Sequence, residues 1–190
     1  MAGFVNRFGL IDREARRRGR SGDPFGVLAQ AIIGQQVSVA AARAVRGRLE
    51  AHFGAWPPTP SALAGADDEA LRACGLSRQK MSYVRDLAAR VDAGTLDLEA
   101  LSAHVDDDVI AALTAVNGIG TWTAEMFLIF HLDRPDVLPL GDLGVRRAVE
   151  RAYAVTDLTP ARLDEIGEPW RPYRSIASRY LWESLDNAPA

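Results

Sequence analysis

Apolar residues recur along most of this chain at steps of three and four positions, which is the spacing of a helix with one buried face. The segment 77–91 is the clearest case. Its apolar positions are Met81, Val84, Leu87, Ala88 and Val91. No stretch alternates apolar and polar residues over a length that would indicate a strand, and nothing repeats at a fixed period. The pattern therefore predicts an all-α fold.

Other helices are marked by the residues expected at their ends. Segments 25–34 and 38–53 are rich in Ala and apolar residues, and Ser38 is the expected N-cap of the second. Residues 55–65 contain three prolines, which predicts a connector that leads into a short helix. These segments predict a helical N-terminal half.

Two acidic clusters precede apolar runs, at 67–69 and at 106–108. Acidic side chains are favourable in the first turn of a helix because they oppose its dipole. We therefore interpret the second cluster as part of a helix N-terminus rather than as a metal site.

Residues 109–132 contain two apolar helical runs separated only by the sequence NGIG at 117–120. The two glycines permit positive φ and a close approach of another backbone. Ile119 between them can fill the crossing of the helices, and a helix that starts near Thr121 directs free N–H groups outward, where they suit a phosphate. The pattern indicates a helix-hairpin-helix, which binds the nucleic-acid backbone without reading sequence. The alternative is a tight turn in a helical bundle.

Asp142 follows an extended loop with two prolines and precedes a predicted helix. The apolar face of that helix is expected at Val145, Val149 and Ala152. Asp142 therefore lies near the N-cap. It either caps the helix alone or also holds a carboxylate at the mouth of a cleft beside the hairpin.

Length and composition restrict the class of protein. A chain of 190 residues suits one domain or two small lobes, and no apolar stretch approaches the ~18 residues that cross a bilayer. The start of the chain shows no signal-peptide pattern, and the single cysteine, Cys74, excludes an internal disulfide and a Cys-ligated metal cluster. His52, His104 and His131 lack the spacing of metal ligands. We expect a cytoplasmic protein without membrane contact.

Charge is unevenly distributed along the chain. The formal net charge is −3, yet the first fifty residues hold nine arginines against four acids. The run Arg16–Arg17–Arg18–Arg20 is interpreted as a solvated chain end, with extension of a DNA footprint as the alternative.

Several motifs, in order, resemble one known family. They are IIGQQVSVAAARAV at 32–45, GLSRQKMSYVRDLA at 75–88, GIGTWTAEMF followed by LPLGDLGVRRA, and PWRPYRSIASRYLWE at 169–183. Over about residues 24–184 the chain resembles the helix-hairpin-helix DNA glycosylase superfamily. The match is to its alkylation-repair branch, 3-methyladenine DNA glycosylase II, in a compact form without the N-terminal β-domain.

The resemblance implies one glycosylase domain over 1–190, built as two helical lobes with an active-site cleft between them. The middle lobe is expected at about 24–132, and the second lobe combines 1–23 with 133–190.

Site residues are implied position by position. Asp142 matches the catalytic aspartate, and Trp122 and Trp182 match aromatics of the substrate pocket, with core packing as the alternative for each. Trp122 also occupies the position of the Schiff-base lysine in bifunctional relatives. The only lysine, Lys80, lies in another helix, so a monofunctional enzyme without lyase activity is expected.

Further pocket positions depart from the aromatic pattern of the family. Met126 and Leu143 stand where relatives have aromatic residues, which leaves the range of substrates open. Glu125 either faces the pocket or is a solvated or ion-paired side chain.

Residues expected to contact DNA are Gln35, Gln36, Gly118, Ile119, Gly120 and Thr121. Gln36 matches the wedge that enters the gap left by the flipped base, and the alternative is a helix-end glutamine bonded to the backbone. The resemblance also implies a monovalent cation, Na⁺ or K⁺, held by main-chain carbonyls of Thr114, Val116 and Ile119. No other cofactor and no catalytic metal are expected.

The function expected from the resemblance is base excision repair. A monomer would bind double-stranded DNA that contains alkylated bases, flip out the nucleotide and excise purines such as 3-methyladenine by hydrolysis. Two alternatives stay open: a helix-hairpin-helix protein that binds damaged DNA without catalysis, and a glycosylase for other damaged or mismatched bases.

Overall fold

A computed structural model describes residues 2–9 and 22–186. The arginine run at 16–20 lies outside these residues. The described parts contain α-helices, two short 3₁₀ turns at Ala100–Ala103 and Glu168–Trp170, and no strand. The predicted all-α fold is confirmed.

The helices of the described residues are α1 (Ala2–Phe8), α2 (Pro24–Gly34), α3 (Val39–Phe53), α4 (Pro60–Gly65), α5 (Asp68–Ala73), α6 (Arg78–Asp92), α7 (Asp106–Thr114), α8 (Thr121–Phe130), α9 (Leu143–Tyr153), α10 (Pro160–Gly167) and α11 (Arg174–Asp186). They belong to two compact units. One contains the described residues 22–127, and the other contains residues 2–9 together with 128–186.

Capping side chains start most helices of the first unit. Ser38 Oγ accepts from the Ala41 N–H at 3.2 Å, so the predicted N-cap of α3 is confirmed. Thr59, Asp67 and Ser77 cap α4, α5 and α6 in the same way. The acidic cluster 106–108 forms the first turn of α7, as the sequence predicts.

Helix α6 supplies much of the core of this unit. Met81, Val84, Leu87 and Ala88 are buried, and α2 and α4 pack against this helix. Complete burial of a side chain such as Leu87 contributes about 1.5–3 kcal/mol.

In the second unit, α9 and α11 pack against each other and α1 packs on α11. The core includes Val145, Ala148, Val149 and Leu181. Val145 and Val149 were predicted, but the expectation at Ala152 is wrong, because Ala152 is exposed and Ala148 is buried instead. None of the described helices is both long and apolar enough to cross a membrane.

Candidate functional site

The turn between α7 and α8 depends on Gly118. Its φ is +84°, and a Cβ built on it would overlap the ring of Tyr83 from α6. Gly120 differs, since its φ is not positive and a Cβ there would meet open space. The conformational argument for two glycines therefore holds for Gly118 alone.

Helix α6 also fixes the hairpin turn through a hydrogen bond. The N–H of Asn117 donates to the carboxylate of Asp86 at 2.7 Å, and the N–H of Ile119 donates to the Val116 carbonyl at 3.1 Å. Ile119 is buried, as expected of a residue that fills the crossing of the helices. The turn is thus held before any ligand binds.

Helix α8 begins at Thr121, the predicted position. The N–H groups of a first helical turn have no partner within the helix and suit an anion. Trp122 is 51% exposed, so core packing does not explain this tryptophan. Glu125 and Met126, one turn further on, are half-buried.

The two glutamines after α2 differ in environment. Gln35 Nε2 donates to the Gly118 carbonyl at 2.7 Å, which ties the end of α2 to the hairpin turn. Gln36 is exposed with φ +55°, and its side chain has no hydrogen bond to residues 2–9 or 22–186. The helix-end alternative therefore describes Gln35 and not Gln36.

Lys80, the only lysine of the chain, is part of the fold of this unit. Its Nζ donates to the Ile33 carbonyl near the end of α2 at 2.7 Å. Burial lowers the pKa of this ammonium group. The lysine thus satisfies a carbonyl at a helix C-terminus.

Asp142 caps α9 and has a second donor. Its Oδ1 accepts from the Val145 N–H at 2.7 Å and from Trp182 Nε1 at 2.9 Å, and the residue is 8% exposed. The predicted N-cap is confirmed. A carboxylate at this point is further stabilised by the helix dipole.

Trp182 reaches Asp142 because Gly144 leaves room for the indole. A Cβ at Gly144 would lie 3.0 Å from the indole Cδ1 and 3.1 Å from Asp142 Oδ1. The half-buried indole stacks on Phe130 with ring centroids 5.5 Å apart, and it packs on the core of the unit. The predicted pocket aromatic is therefore also a hydrogen-bond donor to Asp142. Leu143, the next residue, is 63% exposed.

The loop that leads to Asp142 is clamped to the start of α11, which the sequence did not indicate. Arg174 Nε donates to Asp136 Oδ1 at 2.8 Å, and the Val137 N–H donates to Ser175 Oγ at 2.9 Å. Burial alone raises the pKa of Asp136, but the hydrogen bonds and charge of Arg174, with the charge of Arg171, outweigh it and hold that pKa below its usual value. The contacts join positions about 38 residues apart, so no local signal could reveal them.

The described residues contain no group of three His, Cys, Asp or Glu that could hold a metal ion. The carbonyls named for a monovalent cation lie at the end of α7 and in the hairpin turn. Thr114 is the last residue of α7, where carbonyls have no partner within the helix. The Val116 carbonyl accepts one hydrogen bond and has a second lone pair. Oxygen donors of this kind fit a hard cation.

Comparisons with known proteins agree with this geometry. Residues 29–172 match the HhH-GPD superfamily of base excision DNA repair proteins. A putative DNA-3-methyladenine glycosylase of Bacillus subtilis is 33% identical over 170 residues, covering 85% of this chain and 59% of that protein. DNA-3-methyladenine glycosylase 1 of Schizosaccharomyces pombe is 32% identical, covering 85% of this chain and 72% of that protein.

A solved structure is similar over nearly the whole chain. It is the S. pombe 3-methyladenine DNA glycosylase in complex with abasic DNA, with a TM-score of 0.82 and 30% identity, covering 98% of this chain and 91% of that one. The chain thus spans between about three-fifths and nine-tenths of the length of the relatives described. With the hairpin, the capped aspartate and these matches together, the chain belongs to the HhH-GPD superfamily of base excision DNA repair proteins.

Proposed function

We propose that this protein is a monofunctional DNA glycosylase that excises alkylated purines such as 3-methyladenine from double-stranded DNA by hydrolysis. The observation that carries the proposal is the placement of Asp142, a buried carboxylate held by two donors on one oxygen. The relatives named DNA-3-methyladenine glycosylase support the substrate class. In this proposal the protein acts as a monomer.

The chemistry follows from a base that is already a good leaving group. A 3-methylated purine carries positive charge, so cleavage of the bond between C1′ and the base nitrogen needs little help from a general acid. Positive charge then develops on the sugar, and a fixed carboxylate opposite it stabilises the transition state. Asp142 takes this role in the proposal, and water completes the hydrolysis.

DNA binding is assigned to the hairpin and to the turn before α3. The N–H groups at the start of α8 bind phosphate, and Gln36 enters the gap left by the flipped nucleotide. Exposure of Gln36 and its lack of a hydrogen bond in the described chain support this assignment. A monovalent cation on the carbonyls of Thr114, Val116 and Ile119 would supply positive charge beside the phosphate.

Trp122 and Lys80 are the two residues that support a glycosylase without lyase chemistry. Lyase activity through a covalent intermediate requires a lysine amine that attacks the sugar. Trp122 has no amine, and Lys80 is bonded to the Ile33 carbonyl. We expect no covalent DNA adduct when the reaction is treated with borohydride, and a robust adduct would contradict the monofunctional assignment.

The proposal is tested by Asp142→Asn, measured by chromatography of the bases released from methylated DNA. Asn also caps helices, so the variant should fold and bind abasic DNA within about twofold of wild type. Release of 3-methyladenine should fall by about 10²-fold or more, the typical effect of removing one electrostatic contact to a transition state.

Asp67→Asn is the matched control, because Asp67 caps α5 by accepting from the Ala70 N–H at 2.7 Å. This variant should keep full activity. Equal release by Asp142→Asn and wild type would exclude catalysis by Asp142. Binding of damaged DNA without release of any base by wild type would favour a damage-binding protein.

A further inference from the structure

The proposed function does not use a surface patch that lies beside Gln36. It consists of Val37, Val39, Arg43 and Arg46, which we call the α3 face. Val39, Arg43 and Arg46 are spaced at i, i+4 and i+7, so they share one stripe of α3. Val37 and Val39 are 43% and 77% exposed. Two neighbouring exposed valines beside two arginines form an amphipathic surface.

The charges of the α3 face are not paired within the part of the chain that the structure describes. Neither Arg43 nor Arg46 has an ion-pair partner among residues 2–9 and 22–186. Other arginines of the same unit do, namely Arg72 and Arg85 with Asp68, and Arg90 with Asp86. The Arg46 guanidinium lies 5.2 Å from the centre of the Trp56 ring, which holds it in place. Two cations are thus available for an anion.

The α3 face is recessed rather than flat. Its four residues line a cavity of about 310 Å³ together with Gln30. The cavity therefore combines two cations with apolar side chains, a mixture that suits the phosphates and sugars of a DNA strand.

The α3 face is also continuous with the hairpin. Gln35 is bonded to the Gly118 carbonyl, and the chain passes from there through Gln36 and Val37 directly into α3. A residue inserted into a base stack is held best when the protein binds both DNA strands beside the gap.

We propose that the α3 face binds the sugar-phosphate backbone of the strand opposite the damaged nucleotide. This inference rests on the proposed function, since it takes Gln36 as the residue that enters the stack and the hairpin as the site for the damaged strand. Arg43 and Arg46 each neutralise one phosphate, and Val37 and Val39 pack on the sugars.

The first experiment measures salt dependence. Each phosphate neutralised on B-DNA adds about 0.9 to the slope of log K against log salt, which corresponds to about eightfold in affinity at 0.1 M. Arg43→Gln and Arg46→Gln should each lower the slope by about 0.9, and the double variant by about 1.8. Fluorescence anisotropy with a duplex that holds an abasic-site analogue, from about 50 to 300 mM salt, measures the slopes.

Arg151→Gln is the matched control, since Arg151 is an exposed arginine of α9 in the other unit. It should leave the slope unchanged. If the α3-face variants also leave it unchanged while Gly120→Val in the hairpin weakens binding, the α3 face has no role and the proposed function stands. If wild type does not bind the duplex, the proposed function itself fails.

The second experiment identifies the strand. Neutral methylphosphonate linkages are placed opposite the lesion or beside it, in one strand at a time. Replacement in the opposite strand should weaken binding by wild type and cause no further loss in the double variant. If binding by wild type, but not by the double variant, is weakened only when the linkages lie in the damaged strand, the assignment to the opposite strand is wrong.

Discussion

At the scale of single residues, the Trp182 indole N–H and the Val145 N–H both donate to Asp142 Oδ1 and so restrain the direction of the carboxylate. A hydrogen bond to a charged group contributes about 1.5–3 kcal/mol, more than one between neutral groups. Gly144 makes the contact possible, because any side chain there would press on both partners. The geometry of the carboxylate thus depends on residues that carry no charge.

Trp182→Phe tests this dependence, since it removes the N–H but keeps a ring to stack on Phe130. We expect the single-turnover rate of base release to fall about tenfold, which corresponds to about 1.4 kcal/mol, with abasic-DNA affinity within about twofold of wild type. Gly144→Ala should also lower the rate, because its Cβ would press on the Trp182 indole and on Asp142 Oδ1 although neither residue is substituted. Unchanged rates in both variants, with Asp142→Asn inactive, would show that Asp142 does not need the indole.

Single residues were predictable where the signal was local. Ser38 and Asp142 were identified as caps because capping needs only a short polar side chain before an apolar helical run. The bond between Trp182 and Asp142 was not predictable, because it joins positions 40 residues apart that only the packing of α9 on α11 brings together.

At the scale of elements, the two glycines of the hairpin have separate tasks. Gly118 is required by the fold, since a side chain there combines a left-handed φ with overlap on Tyr83. Gly120 has open space beside it, so the fold would accept a side chain there. In the proposed function its small size leaves room for the phosphate.

Gly118→Ala and Gly120→Ala form a matched pair. Gly118→Ala should lower the free energy of unfolding by at least about 1–2 kcal/mol, the cost of a left-handed alanine, before the overlap with Tyr83 is added. Gly120→Ala should leave stability nearly unchanged and weaken DNA binding. Urea denaturation and anisotropy measure the two effects, and equal destabilisation by both variants would contradict the distinction.

Helices were predictable from the sequence to within about one residue at α2, α3 and α6, because period and caps agree there. The residues that support the hairpin turn were not predictable from the sequence. Tyr83 and Asp86 contact the turn from α6, and they lie more than thirty residues earlier in the chain.

At the scale of the whole molecule, the division into units falls after Phe127, whereas the sequence placed it near residue 132. The division lies within α8, a helix that continues without a break past Phe127 to Phe130. A helical pattern gives no sign of where one core ends and another begins, so the boundary could not be read more sharply.

The stability of the fold should depend on pH through the carboxyl group of Asp136. The pKa of this carboxyl is held below its ordinary value in the folded state, so its contribution is present above the unfolded-state pKa and is lost as pH falls through the folded pKa. Asp136→Asn should lower the free energy of unfolding by about 1.5–3 kcal/mol near neutral pH.

Urea denaturation of wild type and Asp136→Asn at a series of pH values measures this. The difference between them should narrow as pH falls below about 4. Asp92→Asn, at the exposed C-terminal end of α6, is the control and should show no such narrowing. A constant difference down to acid pH would exclude the ion pair as its source.

At Gln36, whose backbone is left-handed, the stability of the fold and the proposed role in DNA binding favour different residues. A glutamine in that conformation costs about 1–2 kcal/mol that a glycine would not incur. Selection for thermal resistance alone would therefore favour glycine there, whereas the proposed insertion of Gln36 into the gap left by the flipped base requires the amide. Thermostabilised variants in which Gln36 has been replaced should accordingly be tested for loss of base excision.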